Sequence, residues 1–168
     1  MFGLTSIGTL HTAFGLVALI SAFTMLVRHG DITTRRPLAM VYIVCTAITC
    51  ITGFGIFQRG GFNIAHVLGV MTLIVLAAAT LAGKRQAFGG LSSYVETLGF
   101  TTTVFFHMIP GITETFSRFP RSGPLFTGPE DPTLAKVIGI VFLFYLIGAT
   151  LQYRRLRHGG QGAVSSLA

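Results

Sequence analysis

Four long apolar stretches constrain the fold of this chain more than any other feature of its sequence. They are Leu4–Val27, Leu38–Phe57, Phe62–Ala82 and Leu134–Tyr153, each near or above the roughly 20 residues that a helix needs to cross a hydrocarbon core. Backbone N–H and C=O groups in lipid must be bonded internally, so each stretch is predicted to be a transmembrane helix. Only 10% of the residues are charged, against about 25% in soluble domains, which favours a bilayer as the solvent.

A fifth stretch, Tyr94–Ile112, is more polar and contains Glu96. It is still predicted to be a span, because Val104–Ile112 is strongly apolar and the connections around it require a crossing. The predicted fold is therefore an all-α, polytopic integral membrane helix bundle with about five transmembrane helices. Residues 1–157 form the bundle, and residues 158–168 are expected to be a flexible C-terminal tail.

The basic residues predict the orientation of this bundle. Five spans put the 28–37 loop, the 83–93 loop and the C-terminal tail on one side, which holds eight of the twelve lysines and arginines. Cytoplasmic loops are enriched in these residues, so we expect a cytoplasmic C-terminus and an outer N-terminus in a bacterial inner membrane. Topology and lipid contact then account for the net charge of +7, and no nucleic-acid partner is expected.

Three histidines are predicted to lie at one level near the outer face. His11 and His66 lie near the outer ends of inward-running spans, and His107 lies near the outer end of the outward-running fourth span. At about 1.5 Å per residue, all three come within roughly 5–10 Å of the outer boundary. Pro110 cannot donate to the carbonyl of Phe106 and is expected to bend the helix beside His107.

Ionisable residues inside a membrane indicate a functional site, and imidazole is a common ligand of metals and haem. His11, His66 and His107 are therefore the candidate ligands of haem b or a transition metal, with His66 and His107 able to hold haem iron from facing helices. A quinone or proton site is an alternative, in which Glu96 and Glu114 carry protons or act as ligands. Purely structural histidines, bonded to neighbouring helices, are the remaining alternative.

Three short motifs carry a family resemblance: LHTAFG at 10–15, RRPLAMVY at 35–42 and HVLG at 66–69. Together they resemble a group of small bacterial multi-helix membrane proteins of unassigned function, over most of residues 8–112. In that group the second span opens with His-Arg and has a glycine three residues before the tyrosine, where this chain has Arg35, Arg36 and Ala39. A looser likeness is to transmembrane b-type cytochromes, which implies bis-histidine haem ligation in a helix bundle.

The leading functional prediction is a small membrane protein with a histidine-based cofactor site near the outer face, acting in redox or electron transfer. The second is a non-catalytic accessory subunit of a larger respiratory or photosynthetic complex, bound through the outer loop at residues 113–132. That loop is rich in proline and phenylalanine, which makes it stiff and suited to lie against a membrane or a partner. A quinone or proton site, or a small transporter, is the third.

Overall fold

The protein folds into five α-helices. The computed structural model describes residues 5–56, 61–117, 123, 125–126, 128 and 130–165, with side chains described to residue 159. The helices are α1 (Ser6–His29), α2 (Pro37–Gly53), α3 (Ile64–Arg85), α4 (Ser92–Phe116) and α5 (Pro132–Ser165). A short 3-10 turn at Gly89–Leu91 leads into α4, and the described residues contain no strand. The all-α prediction is confirmed.

Three of the helices are long and apolar enough to cross a membrane: α1, α3 and the Pro132–Gly159 part of α5. Helix α2 is apolar but shorter, at 17 residues, and α4 is long but carries a polar face. Large apolar side chains lie exposed along the outer helices, and Ile64 and Phe144 are 85% and 70% exposed. An apolar surface of this extent is compatible with a lipid environment.

Two helices run further than the sequence patterns predict. Helix α4 continues through Pro110 to Phe116, so the first residues of the predicted 113–132 loop are helical. A proline inside an apolar helix is tolerated where neighbouring groups satisfy the freed carbonyl. Helix α5 continues to Ser165 and so enters the segment 158–168, which the sequence predicts to be a tail. The small residues there weaken a helix, but they do not terminate it as a proline would.

Helix α4 occupies the centre of the bundle. It packs against α3 and α5 and also contacts α1, while α1 packs mainly on α2. Its buried positions include Ser92, Glu96, Phe100, Thr103 and His107, and spacings of four, four, three and four residues place them on one side of the helix. Helix α4, which combines these polar positions with apolar ones, is thus the helix with the most extensively buried face.

The helix ends form two groups at opposite ends of the bundle, as expected when successive helices run in alternating directions. At one end, the α1–α2 connection touches α4 through Thr34 and Glu96. At the same end, Arg155 of α5 donates to the carbonyl of His29 at 2.8 Å. Residues of the 28–37 loop, the start of α4 and the last turns of α5 therefore lie together at what we call the basic end. The opposite end holds the start of α1, the end of α2 and the start of α3.

Gly99 lies where α3 and α4 approach closely, and substituting it tests this packing. A Cβ at this position would lie 2.9 Å from the Cβ of Ala79, so Gly99→Ala is expected to lower the free energy of unfolding by about 1–3 kcal/mol. The matched control is Gly139→Ala on α5, where a Cβ meets nothing within 4 Å. Thermal unfolding in detergent checks both variants, and equal melting temperatures would contradict this packing.

Candidate functional site

A chain of hydrogen-bonded side chains crosses from α4 to α2 inside the bundle. The Thr103 hydroxyl donates to the carbonyl of Phe100 at 2.8 Å and therefore accepts from the Tyr42 hydroxyl at 2.7 Å. The Tyr42 hydroxyl also interacts with Thr46, whose Oγ1 lies 3.2 Å from Nε2 of His107. Tyr42, Thr46 and Thr103 are fully buried, and His107 is 7% exposed. The chain therefore starts at an imidazole and ends on a backbone carbonyl.

His11 lies beside the end of α2 with its ring orientation fixed. Its Nδ1 is 2.9 Å from the carbonyl oxygen of Thr49. Because a carbonyl only accepts, Nδ1 carries the proton and the neutral ring keeps its lone pair on Nε2. Gly53 makes room for the ring, since a Cβ there would lie 3.3 Å from it. His11 also interacts electrostatically with His107 and with Glu114.

His66 forms part of the N-terminal cap of α3. The backbone N–H of Asn63 donates to Nδ1 of His66 at 3.2 Å, while the Asn63 side chain accepts from the backbone N–H of Ala65 at 3.0 Å. This is a reciprocal capping box with histidine at the third helical position. Nδ1 is thus an acceptor, and Nε2 carries the proton of the neutral ring. The rings of Phe54 and Phe62 lie 6.3 and 5.2 Å from the imidazole, between centroids.

All three predicted histidines lie near the C-terminal part of α2, but they do not form one metal site. His107 contacts Thr46, His11 contacts Thr49, and the ring of His66 stacks near that of Phe54. Within the part of the chain that the structure describes, no three His, Cys, Asp or Glu side chains are placed to share one metal ion. The ligand roles assigned from the sequence stay predictions, and His11 and His107 are close enough to interact electrostatically.

Glu96 is buried at the basic end of α4, 2% exposed. Its Oε1 accepts from the backbone N–H of Thr34 at 2.6 Å and from the Thr34 hydroxyl at 2.7 Å. A Cβ at Gly83 of α3 would overlap the carboxylate, so the site requires glycine there. Lys84 and Arg85 are the basic residues nearest to Glu96 in sequence, yet the described residues show no ion pair between Glu96 and either of them.

The outer loop is described only in part. The backbone N–H groups of Leu125 and Phe126 lie 3.0 and 3.3 Å from the carbonyl oxygen of Phe116. The rings of Phe116 and Phe126 pack edge to face, 6.0 Å apart, and Phe126 is buried. This phenylalanine therefore folds back on the end of α4. Residues 118–122, which contribute to the predicted partner surface, lie outside the described residues.

Tyr42, Thr46 and Thr103 escape prediction from the sequence. Threonines are common inside apolar helices because their hydroxyl can bond the carbonyl one turn back, and the chain has many of this kind, such as Thr49 with Cys45. A bond to another helix depends on the register of the two helices, which composition does not encode. The only signal available was the concentration of threonines on the second and fourth spans.

No family model, curated protein or solved structure matches this chain. The resemblances drawn from the sequence motifs therefore stay predictions.

The capping role of His66 can be separated from a ligand role by two substitutions. His66→Ala removes the acceptor of the Asn63 N–H and is expected to lower the free energy of unfolding by about 0.5–2 kcal/mol. His66→Gln should retain most of this stability, because glutamine at the third helical position also reaches back to the cap N–H. Thermal unfolding of both variants checks this. A glutamine variant as unstable as the alanine variant would count against the cap.

Proposed function

We propose that the chain is a five-span integral membrane protein that binds and transfers protons at a site built from His107 and His11. Its N-terminus lies outside and its basic end faces the cytoplasm. The three long apolar helices and the exposed apolar surface of α5 support insertion. The meeting of the arginine-rich segments at one end supports the orientation, since positive residues are retained in the cytoplasm.

The observation that carries this proposal is the series of polar side chains that leads from His107 through Thr46, Tyr42 and Thr103 to the carbonyl of Phe100. Hydrogen bonds join His107 to Thr46 and Tyr42 to Thr103, and the Tyr42 hydroxyl interacts with Thr46 one helical turn along α2. A hydroxyl that donates one hydrogen bond and accepts another can pass a proton along, and Thr46, Tyr42 and Thr103 are linked in this way. Imidazole is the side chain whose charge changes most readily near neutral pH. A buried imidazole at the end of a hydroxyl chain is therefore suited to take up and release a proton.

The partners of the three histidines favour His107 and His11 over His66. In this series the Thr46 hydroxyl donates to Tyr42 and therefore accepts from Nε2–H of His107, a bond that the ring keeps whether or not Nδ1 is protonated. His11 can be protonated on Nε2 while Nδ1–H still donates to the carbonyl of Thr49. Protonation of His66 on Nδ1 would break its bond with the Asn63 N–H. His11 and His107 can therefore take up a proton without losing these bonds.

The proton enters this site from the outer side. His11 lies in the first turns of α1 and interacts electrostatically with Glu114 in the last turn of α4. His11 lies close enough to His107 for a positive charge on one ring to repel a positive charge on the other, and His107 leads into the hydroxyl chain. The chain ends at Phe100, one helical turn from Glu96. Release towards the basic end therefore requires a change that brings Thr103 and the Glu96 site into contact.

Proton flux into liposomes tests the proposal. The purified chain, reconstituted with an interior pH dye and a potassium gradient, should acidify the lumen faster than empty vesicles. We expect His107→Ala and Tyr42→Phe to lower this rate at least tenfold, since each interrupts the hydroxyl chain. His66→Gln should transfer protons at the wild-type rate and serves as the control. Wild-type flux equal to that of empty vesicles would exclude proton transfer.

A redox cofactor is the second candidate, and the bond from His11 to the carbonyl of Thr49 favours it. Metal- and haem-bound histidines commonly donate their other ring N–H to a carbonyl, which directs the lone pair to the iron. Haem ligation by His11 and His107 predicts a Soret band in the purified protein. The band should disappear in both His11→Ala and His107→Ala and persist in His66→Gln. A protein without this band, after expression with added haem precursor, does not bind haem.

A further inference from the structure

A lateral groove separates α1 from α5 over the surface of α4, on a different side of α4 from the histidines. Its volume is about 560 Å³ and its walls are largely apolar, with Phe23 and Leu26 from α1, Phe105 from α4 and Tyr145 from α5. Aromatic rings pack along one wall, where the centroids of Phe105 and Tyr145 are 5.1 Å apart. An apolar groove of this kind on an outer face is suited to hold a hydrocarbon chain.

The groove has one polar end, and it lies at the basic end of the bundle. Gln152 donates to the carbonyl of Gly30 at 2.8 Å and accepts from the Thr101 hydroxyl at 2.8 Å. Arg155 donates one N–H to the carbonyl of His29 at 2.8 Å. A guanidinium carries five N–H donors, so the exposed Arg155 head retains donors and its charge at the mouth of the groove.

The length of the groove matches a chain that enters at this end. Its α5 lining runs from Val141 to Arg155, a separation of 14 residues in sequence, or about 21 Å along the helix. Half of the hydrocarbon core is roughly 15 Å. An acyl chain with its headgroup at Arg155 would therefore lie in the groove across the whole inner leaflet.

We propose that this groove binds one anionic phospholipid of the cytoplasmic leaflet. One acyl chain lies along the apolar walls, and the phosphate accepts hydrogen bonds from Arg155. Basic pockets between membrane helices on the cytoplasmic side recognise anionic headgroups through this combination of charge and apolar surface. A quinone or a partner helix would fill the apolar walls but would not use the cation at the mouth. The proposal requires the membrane orientation given above and is independent of proton transfer.

Native mass spectrometry of the full chain in non-ionic detergent tests the headgroup. Phosphatidylglycerol and phosphatidylcholine with the same acyl chains are titrated separately. We expect one phosphatidylglycerol to bind with a Kd at least tenfold lower than that of phosphatidylcholine. Arg155→Gln should remove most of this preference. Arg157→Gln, which removes an exposed arginine that does not line the groove, should keep it.

A second pair of variants tests the acyl chain. Gly148 lines the groove, and a Cβ there meets nothing within 4 Å, so Gly148→Leu should fill the groove without disturbing the fold and weaken both lipids at least tenfold. Gly139→Leu is the matched control, since a Cβ at Gly139 is equally unhindered and this residue does not line the groove. It should bind both lipids as the wild type does.

Three results would overturn this inference: equal affinity for the two phospholipids, a preference unchanged by Arg155→Gln, or binding unchanged by Gly148→Leu. Displacement of phosphatidylglycerol by an equimolar isoprenoid quinone would also overturn it, in favour of a neutral ligand. The proton-transfer proposal fails separately, because His107→Ala should leave lipid binding unchanged. Flotation of the chain with liposomes verifies the insertion on which both depend, and a chain that does not float would overturn both.

Discussion

The burial of polar groups inside an apolar bundle is the constraint on which the rest of this structure depends. An unsatisfied polar group in hydrocarbon costs several kcal/mol, so a helix that carries Glu96, Thr103 and His107 is stable only when other elements supply partners. Helix α4 therefore takes the centre. Tyr42 and Thr46 of α2 bond the half of α4 that lies away from the basic end, and Thr34 of the α1–α2 connection bonds its basic end. The positions of these partners therefore determine which elements pack against α4.

The central position of α4 also explains the groove. Helix α5 has few polar positions along its span, and its contacts with α4 bury little of its surface. Near its end it is tied to the C-terminus of α1 by Gln152 and Arg155. Further along, the side chains of α1 and α5 line opposite walls of an open space. Hydrogen bonds thus close this side of the bundle only at the basic end, where a headgroup and not an acyl chain is expected.

Hydropathy alone predicts the all-α class and the approximate position of each helix, because apolar length is a local property of the sequence. The partners of the polar residues are not local. Glu96 has Lys84 and Arg85 nearby in sequence, yet packing gives it Thr34, because the α1–α2 connection folds over the start of α4. The cap that His66 forms could have been predicted from the sequence, since Asn63, a favourable N-cap residue, precedes His66 by three residues. A capping box usually has Glu or Gln at that position, so the histidine conceals the pattern.

Position along a predicted span and residue type are therefore insufficient to define a site. His11, His66 and His107 are the same residue near the same part of α2, and their chemistry differs because their partners differ. A backbone N–H only donates, so it fixes His66 as an acceptor at Nδ1 and makes the ring part of the N-terminal cap of α3. A carbonyl only accepts, so it leaves Nε2 of His11 as the titrating atom. The Thr46 hydroxyl accepts from Nε2–H of His107, so this ring can change its charge at Nδ1 while the Thr46 bond, and the helix contact it makes, persist.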